Sequence, residues 1–188
     1  MLFALAVVIA PGLSAEASAN QGNEYLDMDI AQLMSITVTS VAKKEQALQD
    51  AAADIFVITQ EDIRRSGVTT LPEALAMAPG MQVAKINSNK WSVSTRGFAG
   101  YTSNKTLVLI DGRSVYSPAY SGVFWDMQNT LLEDIDRIEV IRGPGGTLWG
   151  ANAVNGVINI ITKKAQQTQG GLVRIGGGNQ FVTSAGRY

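Results

Sequence analysis

The sequence of 188 residues contains neither cysteine nor histidine. The missing cysteines exclude disulfide bonds and thiol nucleophiles, and the missing histidines exclude Ser-His-Asp triads and histidine-ligated zinc. Charged residues make up only 16%, and 15 basic residues against 16 acidic ones leave a net charge of −1. A balance so close to neutral gives no electrostatic footprint for nucleic acid. We therefore expect no enzyme, no metal site, no cofactor and no nucleic-acid partner.

Long hydrophobic segments are also scarce at the N-terminus. The apolar run at residues 2–10 is too short for a transmembrane helix, which needs about 20 residues. It is followed by small residues that end in ASA at positions 17–19, the A-x-A pattern of a signal-peptide cleavage site. We predict that residues 1–19 are an export signal; a short N-terminal helix is the alternative.

Glycine and apolar residues are plentiful, with 19 glycines and 46% hydrophobic residues. This composition favours a turn-rich protein with β-structure and a packed core. We predict a small α+β domain with a mixed sheet and short helices at residues 51–164. An extended polar arm at residues 20–50 precedes it, and residues 165–188 have the pattern of the opening strands of another sheet.

Two short helices are predicted from their capping residues. Thr59 with Asp62 three residues later predicts a helix that stops at Gly67, and Thr70 with Glu73 has capping-box spacing. Strands are predicted at 55–58, 81–86, 91–96, 106–110, 137–142 and 157–161. The alternation of charged and aliphatic residues at 137–142 predicts a half-exposed strand there. The dipeptide Asp111-Gly112 predicts a tight hairpin that returns through Val115 and Tyr116.

Two polar features invite a chemical interpretation. The glycine-rich loop at 142–150 lacks the lysine and the third glycine that phosphate-binding loops need, so we expect its glycines to serve tight turns. A catalytic carboxylate pair needs a concave site and shifted pKa values. The sequence shows neither of these for the carboxylates Glu133, Asp134, Asp136 and Glu139. We therefore expect them to form a solvated face.

Residues 36–41 (ITVTSV) form a β-branched segment inside the polar arm, and their pattern shows no adjacent partner strand. Such a strand either folds back on the domain as an edge strand or is donated to the sheet edge of another protein. Many aromatic residues lie in or near predicted turns, where they either complete the core or form a recognition surface. They are Trp91, Phe98, Tyr101, Tyr116, Tyr120, Phe124 and Trp125.

A series of motifs in a fixed order resembles the plug domain of TonB-dependent outer-membrane receptors. The motifs are ITVTS at 36–40, VITQEDIRRSG at 57–67, LPEAL at 71–75, STRGF at 94–98, LVLIDGR at 107–113, DRIEVIRGP at 136–144, LWGANA at 148–153 and VINIITK at 157–163. Together they extend over about 130 residues.

This resemblance implies a plug inside a 22-stranded barrel that takes up a scarce nutrient, such as a ferric siderophore or cobalamin, with energy from TonB. Residues 165–188 would then begin a transmembrane β-barrel. Since 18 residues follow Gly170, we expect a fragment or a truncated product. The expected location is the outer membrane, or the periplasm if the chain exists alone. The alternative is a free periplasmic binding module with a plug fold.

The resemblance also implies site residues. Ile36, Thr37, Val38, Thr39 and Ser40 would form the TonB box that binds the C-terminal domain of TonB. Arg96 and Arg142 would contact glutamates of the protein's own barrel. If successive strands are antiparallel, the turn before Trp91 and the Asp111-Gly112 hairpin share one end of the domain. A metal chelate or similar small ligand would there meet Asn87, Lys90, Trp91, Tyr116 and Tyr120.

Overall fold

The computed structural model describes residues 37–38, 46–47, 54–97, 100, 105–143, 149–177 and 182–187. The predicted export signal lies outside these described residues. Strands and short helices alternate along the chain: β1 (Thr37–Val38), β2 (Gln46–Ala47), β3 (Asp54–Thr59), α1 (Gln60–Ser66), α2 (Leu71–Leu75), β4 (Met81–Lys85), β5 (Trp91–Thr95), β6 (Thr106–Ile110), β7 (Arg113–Ser114), β8 (Ile135–Arg142), β9 (Gly156–Thr162), β10 (Leu172–Gly177) and β11 (Val182–Arg187). Within this part of the chain, no helix has the length and apolar character of a membrane span.

A five-stranded sheet in the order β3-β8-β9-β6-β7 organises the domain. Strand β8 is antiparallel to both β3 and β9, whereas β6 is parallel to β9 and antiparallel to β7. The predicted α+β class with a mixed sheet is therefore confirmed. Strand β8 lies between two neighbours and is buried on both faces from Ile138 to Ile141. The prediction of a half-exposed strand at 137–142 was wrong. An alternation of charged and aliphatic residues is also compatible with a buried strand whose charged side chains form ion pairs.

One face of this sheet carries the larger core. Alternate residues of β8 and β9 (Ile138, Val140, Ile158 and Ile160) are fully buried there. They belong to one apolar cluster with Ile63 of α1 and with Leu71, Ala74 and Leu75 of α2. Val93 of β5 and Trp125 belong to the same cluster. This face positions the helices and the β4–β5 hairpin.

The opposite face combines a smaller apolar cluster with buried polar groups. Leu107, Leu109, Ile141 and Val157 form this cluster together with Ala153. Beside it, Glu139 is 0% exposed, and its carboxylate accepts a hydrogen bond of 2.9 Å from Nε of Arg137. The predicted solvated face is therefore wrong for Glu139, because β8 lies inside the sheet between β3 and β9 and both of its faces are covered there.

Both predicted helix starts are present. Oγ1 of Thr59 accepts a hydrogen bond from N of Asp62, and the Asp62 carboxylate accepts one from N of Thr59. Gly67 follows α1 in the left-handed conformation with φ 70°, which a residue without Cβ adopts at no steric cost. In α2, Oε2 of Glu73 accepts hydrogen bonds from N of Thr69 and N of Thr70.

The Asp111-Gly112 turn joins β6 to β7 with positive φ at both residues, 49° and 76°. This is the backbone of a type I′ hairpin turn, as predicted. The returning strand is Arg113–Ser114 and not the predicted Val115-Tyr116 segment. The Asp111 carboxylate also accepts hydrogen bonds from N and Oγ1 of Thr162, both of 2.8 Å. The turn thereby closes the end of β9.

Candidate functional site

Strand β1 contains the two described residues of the predicted TonB box. Thr37 and Val38 pair in antiparallel register with Ala47 and Gln46 of β2, and Val38 is 0% exposed. The expectation that this segment has no adjacent partner strand is therefore wrong at these two residues. A segment only eight residues further along the chain supplies the partner, and a pair this short leaves little pattern in a sequence.

Arg96 lies directly after β5 and is exposed. Its φ of 53° places it in the left-handed region, and Gly97 follows with φ 83°. A non-glycine residue in this region carries a conformational cost of about 1 kcal/mol. Two successive left-handed residues turn the chain sharply at the end of the β4–β5 hairpin and leave the guanidinium of Arg96 in solvent.

Arg142, the second predicted barrel-contact residue, is half-buried at the end of β8. Its guanidinium forms an ion pair with Asp54 of β3 and donates a hydrogen bond of 3.3 Å to the carbonyl oxygen of Pro79. The register between β3 and β8 places Asp54 directly opposite Arg142. The contact with a barrel glutamate stays a prediction.

The predicted ligand residues of the β4–β5 turn have internal contacts. Oδ1 of Asn87 accepts hydrogen bonds from N of Asn89 and N of Lys90, so this side chain shapes the turn. Trp91 is half-buried, and Nζ of Lys85 lies 5.2 Å from its ring centroid. This geometry is a cation–π contact, and sequence reasoning had not singled out Lys85.

Tyr116 and Tyr120 belong to a different segment, between β7 and the 3₁₀ turn Trp125–Met127. Tyr120 is 55% exposed and packs edge-to-face on Phe124 with ring centroids 4.2 Å apart. Their grouping with Trp91 as ligand contacts stays a prediction.

A cavity of about 460 Å³ lies beside Trp91. The start of α2, the β4–β5 turn, the segment before β8 and the β10–β11 hairpin line this cavity. The lining includes Trp91, Trp125, Glu133, Arg174 and Ser184. Sequence reasoning missed this cavity because it brings together segments that are far apart in the chain. Among the residues that the structure describes, no group of three Asp or Glu side chains has metal-binding geometry.

A profile of the family "TonB-dependent Receptor Plug Domain" matches residues 47–157. The chain belongs to this family. The plug resembles the vitamin B12 transporter BtuB of Vibrio cholerae, with 36% identity over 155 residues that cover 82% of this chain and 25% of BtuB. It also resembles the iron-regulated outer membrane virulence protein of Vibrio cholerae, with 40% identity over 144 residues that cover 73% of this chain and 21% of that protein.

Among solved structures, the plug is similar to FpvA of Pseudomonas aeruginosa in its complex with a pyoverdine and iron. That match has a TM-score of 0.56 and 26% identity, and it covers 68% of this chain and 16% of FpvA. The chain spans about a quarter of the length of the curated relatives it matches. The family inferred from the sequence motifs is confirmed, whereas the alternative of a free periplasmic module finds no support in these relatives.

Proposed function

We propose that this plug acts in an outer-membrane receptor that takes up a scarce nutrient, a ferric siderophore or cobalamin, with energy from TonB. The match of residues 47–157 to the plug family carries the proposal. Named relatives transport vitamin B12 or bind an iron–pyoverdine complex, which supports a bulky metal-containing ligand. In this proposal the plug resides in the outer membrane, inside the receptor's own barrel.

The proposed contact with TonB is strand addition at residues 36–40. Main-chain hydrogen bonds supply most of the affinity when a strand joins another sheet. Thr37 and Val38 are already extended in β1, so their backbone has the conformation that an added strand needs. Because β2 occupies one edge of β1, the domain of TonB either adds to the other edge or replaces β2.

The experiment compares two proline variants in the full receptor, Val38→Pro and Gln46→Pro. Proline removes a backbone donor and fixes φ near −65°. Val38 and Gln46 face each other across the β1–β2 pair, so both variants disturb that pair, but only Val38→Pro alters the proposed TonB strand. Val38→Ile is the control, because the backbone donor stays.

We expect Val38→Pro to reduce uptake of labelled ligand at least tenfold, with surface binding within twofold of wild type. Gln46→Pro and Val38→Ile should retain uptake. Equal loss of uptake in both proline variants would mean that the β1–β2 pair is required and not the TonB strand. Loss of surface binding in Val38→Pro would assign β1 to the domain's own structure. Parallel assays with cyanocobalamin and with ferric siderophores distinguish the two ligand classes.

A further inference from the structure

The β10–β11 hairpin has two faces of different character. Val173 and Ile175 are 80% and 78% exposed, so these two apolar side chains of β10 point into solvent, whereas Leu172 is half-buried. Arg187 lies opposite Leu172 in the register, which places it on the same face as Arg174, two residues from Leu172. A two-stranded hairpin alone is marginally stable in water. Since Val173 and Ile175 do not pack on the domain, the contacts between this hairpin and the domain lie on its other face.

The arginine face of the hairpin contacts the 3₁₀ turn Leu132–Asp134 just before β8. Nη1 of Arg174 lies 2.8 Å from Oε1 of Glu133, and Nη2 of Arg174 is 3.5 Å from the carbonyl oxygen of Val68. Arg187 forms an ion pair with Asp134. The four charged side chains are between 23% and 33% exposed. At this exposure the pairs are still reached by salt, although salt weakens them less than it weakens fully exposed pairs.

The acidic turn is itself fixed by the end of β9. Nζ of Lys163 donates a hydrogen bond of 2.8 Å to the carbonyl oxygen of Glu133, and N of Lys163 donates one of 2.7 Å to the carbonyl oxygen of Asp134. The backbone of the two acidic residues is therefore fixed by contacts that do not involve the arginines. A preorganised pair of carboxylates loses less conformational freedom when it binds.

We infer that Glu133 and Asp134 form the docking site of the β10–β11 hairpin. The hairpin binds this site through Arg174 and Arg187. The hairpin is held on the plug by charge complementarity, and its apolar face stays free for other contacts. This inference goes beyond the proposed function, because it holds whatever ligand is transported. In a receptor whose barrel begins with this hairpin, the same contact fastens the plug to the barrel wall.

The test is a charge-reversal cycle in the 188-residue chain. One variant carries Glu133→Lys and Asp134→Lys, a second carries Arg174→Glu and Arg187→Glu, and a third combines all four changes. Hydrogen exchange measured by mass spectrometry reports the amides of β10 and β11. Tryptophan fluorescence reports the cavity beside the hairpin, because Trp91 and Trp125 line it together with Arg174 and Ser184.

We expect each double variant to speed exchange in the hairpin at least tenfold and the fourfold variant to return it to within threefold of wild type. Amides of β8 and β9 should stay protected throughout, which shows that the sheet is intact. A single reversal at an exposed site elsewhere, Arg113→Glu, serves as the charge control and should leave the hairpin unchanged.

Failure of the fourfold variant to restore protection, with β8 and β9 still protected, would overturn the inference. A salt titration of the wild-type chain covers the case in which the variants do not fold. Raising the salt concentration to about 1 M shortens the Debye length to about 3 Å, so hairpin exchange should rise several-fold. No change in hairpin exchange with salt would contradict docking by charge.

Discussion

At the scale of single residues, Gly156 occupies a position that leaves no room for a side chain. It begins β9 and pairs with Arg142 of β8 and Thr106 of β6, so backbone approaches it from both sides. A Cβ atom at this position would lie 2.4 Å from the carbonyl oxygen of Ile141, and Oγ1 of Thr95 is 3.6 Å away. Because the nearest atom belongs to the backbone, a rotamer change cannot relieve the clash.

We therefore expect Gly156→Ala to lower the free energy of unfolding by about 2 kcal/mol, as is typical of overpacking in a core. Denaturant titration followed by circular dichroism measures the change. Gly177→Ala is the matched control, because nothing lies within 4 Å of its added Cβ; its effect should stay within about 0.5 kcal/mol. Equal effects of the two substitutions would show that the close approach at Gly156 is not limiting.

At the scale of elements, α2 depends on the carboxylate of Glu73. Burial raises the pKa of Glu73, but the hydrogen bonds from Thr69 and Thr70 outweigh it and hold the pKa below its ordinary value of 4.5. A folded-state pKa below the unfolded value contributes stability that is fully present above pH 4.5. This contribution is lost as the pH falls through the folded-state pKa.

We expect the free energy of unfolding of Glu73→Gln to vary less with pH than that of wild type between about pH 5 and pH 3. Denaturant titrations at several pH values provide the slope. Asp126→Asn, which removes an exposed carboxylate outside α1 and α2, should keep the wild-type slope. An unchanged slope in Glu73→Gln would mean that its hydrogen bonds are equally strong in the unfolded chain.

The helix caps and the Asp111-Gly112 turn were predictable because their determinants lie within four residues of one another. Sheet order was not predictable in the same way. The burial of Glu139 follows from the position of β8 between β3 and β9, and β3 is far away from β8 in the sequence. The ion pair of Arg142 likewise requires the register of β3 on β8. The sequence therefore identified some residues of the candidate site, such as Arg142, by their type. It did not predict the contacts that the charged residues make.

At the scale of the whole molecule, the proposed ligand surface combines two segments that are separate in the chain. Trp91 belongs to the β4–β5 hairpin, and Tyr116 follows β7 of the main sheet. Aromatic side chains of this kind often dominate binding energy because they bury a large rigid surface. Trp91 already lies under Lys85 in a cation–π contact, which gives that side of the surface a positive charge.

In the full receptor we expect Trp91→Ala and Tyr116→Ala each to raise the ligand Kd about tenfold, which corresponds to about 1.4 kcal/mol. Equilibrium binding of labelled ligand to whole cells provides the measurement. Met127→Ala removes an apolar side chain that is 69% exposed and should leave the Kd unchanged. A wild-type Kd in both aromatic variants would show that Trp91 and Tyr116 do not contact the ligand.

The pairing of β3 with β8 also determines when the sheet can form during synthesis. About 75 residues separate the end of β3 at Thr59 from the start of β8 at Ile135. At about 5–20 residues per second, a ribosome needs about 4–15 seconds to make that stretch. During this interval β3 has no partner strand. In general, contacts between segments that are distant in the sequence form slowly and lower the folding rate. The five-stranded sheet therefore cannot be complete before both β8 and β9 have been synthesised.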